Sequence, residues 1–148
     1  SIGGHTDAIT TVVVYSAPDT EGGPVALTAA GGEDYTIIIW SIATCSALRR
    51  ITTEAIVYSL AVFVPPDNPL CPEIVASGMH GYLSIWELQS CELIRTMEST
   101  QAHTGSILDL ALYAPTTGSP PLVVTGGDDM VVMVWNYKSG NRMHAFEG

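Results

Sequence analysis

The chain of 148 residues and 15.7 kDa has the length of one ordinary domain. Its apolar content of 47% and charged content of only 14% exclude intrinsic disorder, while no apolar run approaches the roughly 20 residues that a membrane-spanning helix needs. Fifteen Asp and Glu against five Lys and Arg give a net charge of -10, which argues against nucleic-acid partners, whose phosphates require clustered cations, and favours basic ones.

Runs of β-branched and aromatic residues between Gly, Pro, Asn and Asp predict strands. The first four fall at about 8–16, 24–30, 35–41 and 46–52. Four more follow at about 56–64, 73–77, 82–87 and 91–98, and a last four at 106–114, 121–126, 131–136 and 141–147. No segment carries a helical period, so the expected class is all-β. The proline-rich connections 18–24, 65–72 and 115–121 are longer than tight hairpins require, and are expected to be exposed. Cys45, Cys71 and Cys91 show no Cys-x-x-Cys spacing and make no complete disulfide framework. A reducing, intracellular setting, cytoplasmic or nuclear, follows.

The chain repeats itself. Trp40, Trp86 and Trp135 are spaced by 46 and 49 residues, and each ends a strand preceded by a glycine-containing turn. The turns read Gly31-Gly32-Glu33-Asp34-Tyr35, Gly78-Met79-His80-Gly81-Tyr82 and Gly126-Gly127-Asp128-Asp129-Met130. Upstream, Gly4-His5-Thr6 matches Ala102-His103-Thr104. With these residues the chain resembles WD40 repeats, over essentially its whole length. The resemblance implies three four-stranded antiparallel blades of a β-propeller, at about 5–52, 53–100 and 101–148, forming one propeller segment over 1–148. Two departures stand out: Trp is followed by Ser41, Glu87 and Asn136 where the family often has Asp, and the second copy has Thr53 and His80 at the His and Asp positions.

The resemblance also implies a buried relay in which indole, hydroxyl, imidazole and carboxylate satisfy one another, with His103, Thr125, Asp129 and Trp135 as its complete form. The first copy offers His5, Asp34 and Trp40 with Ala30 at the hydroxyl position, so its relay is expected to be shorter. The second retains only Trp86 and is expected to be the least rigid. Thr, His and Asp also compose a nucleophilic triad, yet no nucleophile elbow or oxyanion motif accompanies them, and the hydroxyl is already engaged. No catalytic role, cofactor or metal site is expected. The paired carboxylates of the first and third turns lack the acidic loop that calcium needs.

Cys45 and Cys91 are expected to be small apolar packers, and Tyr15, Phe63 and Tyr113 core or strand-end residues. Arg49, Arg50, Arg95, Lys138 and Arg142 are expected to be edge charges. The expected function is a non-catalytic protein-interaction scaffold whose acidic loop face, formed by Asp7, Glu33, Tyr35, Glu54, His80, Tyr82, Asp128 and Met130, takes basic peptides. A small-molecule or glycan site is the alternative, its one hint being Tyr35, Tyr82 and Met130 at a shared repeat position. Three blades leave two sheet faces open, so the remaining blades of a longer array, or further copies of the chain, are expected to complete a ring.

Overall fold

The computed structural model describes residues 3–16, 23–30, 34–97, 102–116 and 118–148, the side chains of 27–30 excepted. Among the described residues twelve strands form three antiparallel sheets, each taken in chain order. The first holds β1 (Ile9–Tyr15), β2 (Val25–Ala30), β3 (Thr36–Ser41) and β4 (Ser46–Thr52). The second holds β5 (Val57–Phe63), β6 (Glu73–Gly78), β7 (Leu83–Glu87) and β8 (Leu93–Thr96). The third holds β9 (Ile107–Tyr113), β10 (Leu122–Gly127), β11 (Val131–Asn136) and β12 (Arg142–Glu147). A 3-10 turn, Met79–Gly81, joins β6 to β7. The first strands β1, β5 and β9 lie side by side, so the sheets stack against one another.

Two cores hold the stack. Ile37, Ile39 and Ile51 of the first sheet meet Leu60, Ile74 and Ala76 of the second. On the other side, Val75, Leu83 and Ile85 of the second sheet meet Ile107, Val123 and Trp135 of the third. Each fully buried side chain of this kind contributes about 1.5–3 kcal/mol. Because β6 is covered on both faces, its Ile74-Val75-Ala76 run is fully buried and does not alternate. By contrast, β1 has Val13 facing the core and Val12 and Val14 each 62% exposed.

Every sheet carries the same two register shifts. One lies in the first strand, skipping Thr10, Tyr58 and Leu108; the other lies opposite each tryptophan, skipping Leu48, Ile94 and Met143 in the last strand. Bulges of this kind increase twist and spoil an edge for pairing with foreign strands.

Three sequence expectations are corrected by this arrangement. Cys45 is exposed rather than packed, and Cys45 and Cys91 adopt φ of 52° and 61°, as does Gly140 at 77° in the equivalent place of the third sheet. Both sit at the left-handed corner of the hairpin between third and fourth strands, and of the two only Cys91 packs against the core as expected. Tyr113 is 59% exposed, because its face of the third sheet has no neighbour, whereas its counterpart Phe63 is buried between two sheets. Arg95 is not a free edge charge: its guanidinium donates to the carbonyl oxygens of Tyr137 and Lys138 in the next sheet.

Candidate functional site

Hydrogen bonds tie the segment before each first strand to the turn between second and third strands, which gathers the predicted residues at one end of the stack. In the third sheet Trp135 Nε1 donates to Thr125 Oγ1 at 2.9 Å, and Thr125 Oγ1 lies 2.8 Å from His103 Nε2. His103 Nδ1 lies 2.9 Å from both oxygens of Asp129. Because the Asp129 carboxylate can only accept, Nδ1 carries the imidazole proton, and the Thr125 hydroxyl, which accepts from the indole, gives its own proton to Nε2. Asp129 further accepts from the N–H groups of Thr104 and Val131. Trp135 and Thr125 are fully buried, so the hydroxyl has no approach to a substrate.

The first sheet builds its network differently. His5 Nδ1 is 3.0 Å from Asp34 Oδ2, which also accepts from the Thr6 N–H at 2.7 Å. The hydroxyl missing at Ala30 is supplied by Thr36, two residues after the aspartate: it donates to Asp34 Oδ1 and lies 3.2 Å from His5 Nδ1. This relay is therefore not simply truncated, and the hydroxyl sits on the carboxylate side of the imidazole. The side chain of Ala30 and all of Glu33 lie outside the described residues.

In the second sheet, where Trp86 alone of the relay is retained, the indole still finds a partner. Trp86 Nε1 donates to Ser84 Oγ at 2.9 Å; two residues apart on one strand, the pair shares a face. Thr53, in the histidine place, is buried and donates to the carbonyl oxygens of Tyr35 and Ala55. His80 is exposed at φ 57° and joins no network. Burial raises the pKa of the Tyr82 phenol, against the pull of hydrogen bonds with Ser84 and Trp86.

Burial also raises the carboxyl pKa of Asp34 and Asp129, but the opposing contacts win. Thr36, the Thr6 N–H and His5 hold Asp34 below its ordinary value. His103, the Val131 N–H and the Thr104 N–H do the same for Asp129. Both therefore stay anionic near neutrality.

Around these two carboxylates, Asp7, Glu54 and Asp128 are exposed on the same set of loops, as are Tyr35 and, at 81%, Met130. The repeat position shared by Tyr35 and Met130 is taken in the second sheet by Gly81, φ 72°, and not by Tyr82, which is half-buried one residue further on. An equivalent aromatic ring of three is thus absent. Among the described residues no group of three or more His, Cys, Asp or Glu could hold a metal ion, and no helix is long and apolar enough to cross a membrane.

The family model "WD domain, G-beta repeat" matches residues 91–136. The solved structures described as "Structure of U3-55K" and "Crystal structure of RRP9 WD40 repeats" each superpose on 99% of this chain with TM-score 0.73, at 24% identity, over 41% and 40% of their own lengths. Topless-related protein 4 of Arabidopsis thaliana is 31% identical over 112 residues, 74% of this chain and 9% of that protein. The chain belongs to the WD40-repeat family. F-box/WD repeat-containing protein 4 of Mus musculus is 28% identical over 99% of this chain and 36% of its own length. The chain therefore spans about a tenth of the Topless-related proteins and about a third of the F-box protein. WD40 repeats generally serve as protein-interaction scaffolds, and their sheets are the blades of a propeller.

Proposed function

We propose that this chain is part of a non-catalytic WD40 interaction scaffold whose acidic loop face takes Lys- and Arg-rich peptide segments. The observation that carries the reading is the grouping of Asp7, Glu54 and Asp128, all exposed, beside the anionic Asp34 and Asp129. Arg95, Lys138 and Arg142 belong to the opposite end, and Arg50 is engaged with the carbonyl oxygens of Gly3 and Gly4. A field of one sign steers oppositely charged partners. The buried network supports the face mechanically: it fixes the loops that carry the carboxylates and keeps the Thr125 hydroxyl buried.

The test is fluorescence anisotropy with a labelled Lys/Arg-rich peptide and a Glu/Asp-rich peptide of equal length. Binding of the basic peptide alone, weakening with salt and lost on combining Asp7→Lys, Glu54→Lys and Asp128→Lys, is expected. Salt-independent binding, or binding unaffected by the triple change, refutes the reading.

The open faces favour a further partner. Val12 and Val14 on the first sheet, and Tyr113, Val132 and Phe146 on the third, leave apolar side chains 43–62% exposed. In the proposed intracellular assembly these faces are covered by further blades or by a second copy. Light scattering on the purified protein distinguishes the two: a defined oligomer of this chain supports the second copy.

A further inference from the structure

The end of the stack opposite the acidic loops holds a cleft of about 740 Å³ between the second and third sheets, within the range of ordinary ligand sites. Its floor is Phe63, Ile85 and Tyr137, all buried, with the Phe63 and Tyr137 rings 4.4 Å apart at 48°. Its walls come from the connections β5–β6 and β9–β10, through Pro65, Pro66, Pro115 and Pro121. Proline fixes the backbone and offers no N–H, so these four positions are restrained and add no backbone donor to the cleft.

Two half-buried charges of opposite sign face this space from the second sheet. Glu73 accepts the Tyr137 hydroxyl through Oε2, and Arg95 uses Nη1 on the carbonyl oxygens of Tyr137 and Lys138. No ion pair joins Glu73 to Arg95 among the described residues. The second carboxylate oxygen and the remaining guanidinium N–H groups therefore keep hydrogen-bonding capacity at the cleft. Around them the charges balance, Asp67 and Glu73 against Arg95 and Lys138. With both signs present in equal number, the cleft gives no net attraction to a ligand of either charge.

We infer that this cleft binds a neutral peptide segment with an apolar anchor side chain, at a site separate from the acidic loop face. A peptide unit matches both charges of the second sheet at once: its N–H donates to Glu73, its carbonyl accepts from Arg95, and the neighbouring side chain covers Phe63, Ile85 and Tyr137. A floor already braced by cross-sheet hydrogen bonds reduces the ordering cost of binding. The site depends on different residues and a different end of the stack, so it stands or falls independently of the acidic face.

The probe is N-acetyl-leucyl-leucinamide, which carries amide groups and apolar side chains and no charge, titrated into the isotope-labelled protein with amide shifts as readout. Saturable shifts of Asn68, Ser119 and Lys138 at roughly millimolar concentration are expected, unchanged by salt. Ser119→Trp, which fills the mouth, and Ile94→Lys, which puts a charge on the exposed rim, should each weaken binding by about tenfold, while Asp7→Lys at the other end leaves it unchanged. The amide spectrum of each variant reports directly that it is folded. Absence of shifts at these positions, a stronger response of the same residues to inorganic phosphate or methylammonium, or binding indifferent to both rim variants overturns the inference.

Discussion

Ser84 gives the Trp86 indole its acceptor from within the same strand, whereas Trp135 reaches across to Thr125 on the neighbouring one. The second arrangement also engages His103, so its hydroxyl serves two buried groups at once. Thr125→Val keeps the shape of the side chain and leaves both the indole N–H and the imidazole Nε2 without a partner. At about 1–3 kcal/mol for each orphaned group, a loss of roughly 3 kcal/mol is expected. Ser84→Ala removes the acceptor of one half-buried indole and a contact of the half-buried Tyr82 phenol; because neither group is fully buried, the cost should be smaller, about 1 kcal/mol. Urea unfolding followed by tryptophan fluorescence checks the ratio, and equal losses would contradict the assignment of two partners to Thr125.

Much of this architecture is readable from the chain because β-branched runs bounded by turn residues mark all twelve strands to within about two residues. Thr36 and Ser84 escape a reading that seeks the hydroxyl ten residues before the tryptophan. Strand alternation offers a signal for Ser84, which lies on the face of Trp86, but Thr36 depends on where its own aspartate turns. The bulges leave no mark in composition, since one extra residue disturbs only the register. For Cys45 and Cys91 the signal was Gly140 at the matching place, which demands a left-handed corner. The cleft joins loops distant in sequence and has no local signature.

The carboxylates of Asp34 and Asp129 give acid stability a defined sign. Their folded pKa values are lowered, so the stability they contribute is fully present above the unfolded value near 4 and is lost as pH falls through the folded value. Asp129→Asn is therefore less stable than the parent at neutral pH, and the gap should narrow steadily below about pH 4. Denaturation midpoints of the two proteins across that window provide the measurement. A gap that stays constant to strongly acidic pH would show that the charge of Asp129 is immaterial.

Loss of the full relay in the second sheet suggests at first that this blade is the loosest. Packing argues the reverse. Ile74, Val75 and Ala76 of β6 are fully buried between two neighbouring sheets, while β1 exposes Val12 and Val14. Opening β6 would expose apolar surface on both of its faces, so its amides should exchange most slowly, and those of β1 and β12 most quickly. Hydrogen exchange read strand by strand decides between relay and burial as the dominant source of rigidity.

Left-handed corners supply the last expectation. Met130 and Cys45 hold φ of 64° and 52°, a conformation that costs a residue with a Cβ about 1 kcal/mol or more. Glycine removes that strain but adds unfolded-chain entropy, which offsets part of the gain. For Met130, 81% exposed, and for the exposed Cys45, little packing is lost, so Met130→Gly and Cys45→Gly should each raise stability by about 0.5 kcal/mol. Cys91 sits at the same corner as Cys45 but packs against the core between the first two sheets, so Cys91→Gly should gain nothing. The converse change is the sharper test: Gly140 has φ 77°, and an added Cβ would come within 3.1 Å of Arg95 Cδ and 3.3 Å of Met97 Sδ. Gly140→Ala should cost about 1–2 kcal/mol, and thermal melts that rank the four variants otherwise would remove backbone strain as the cause.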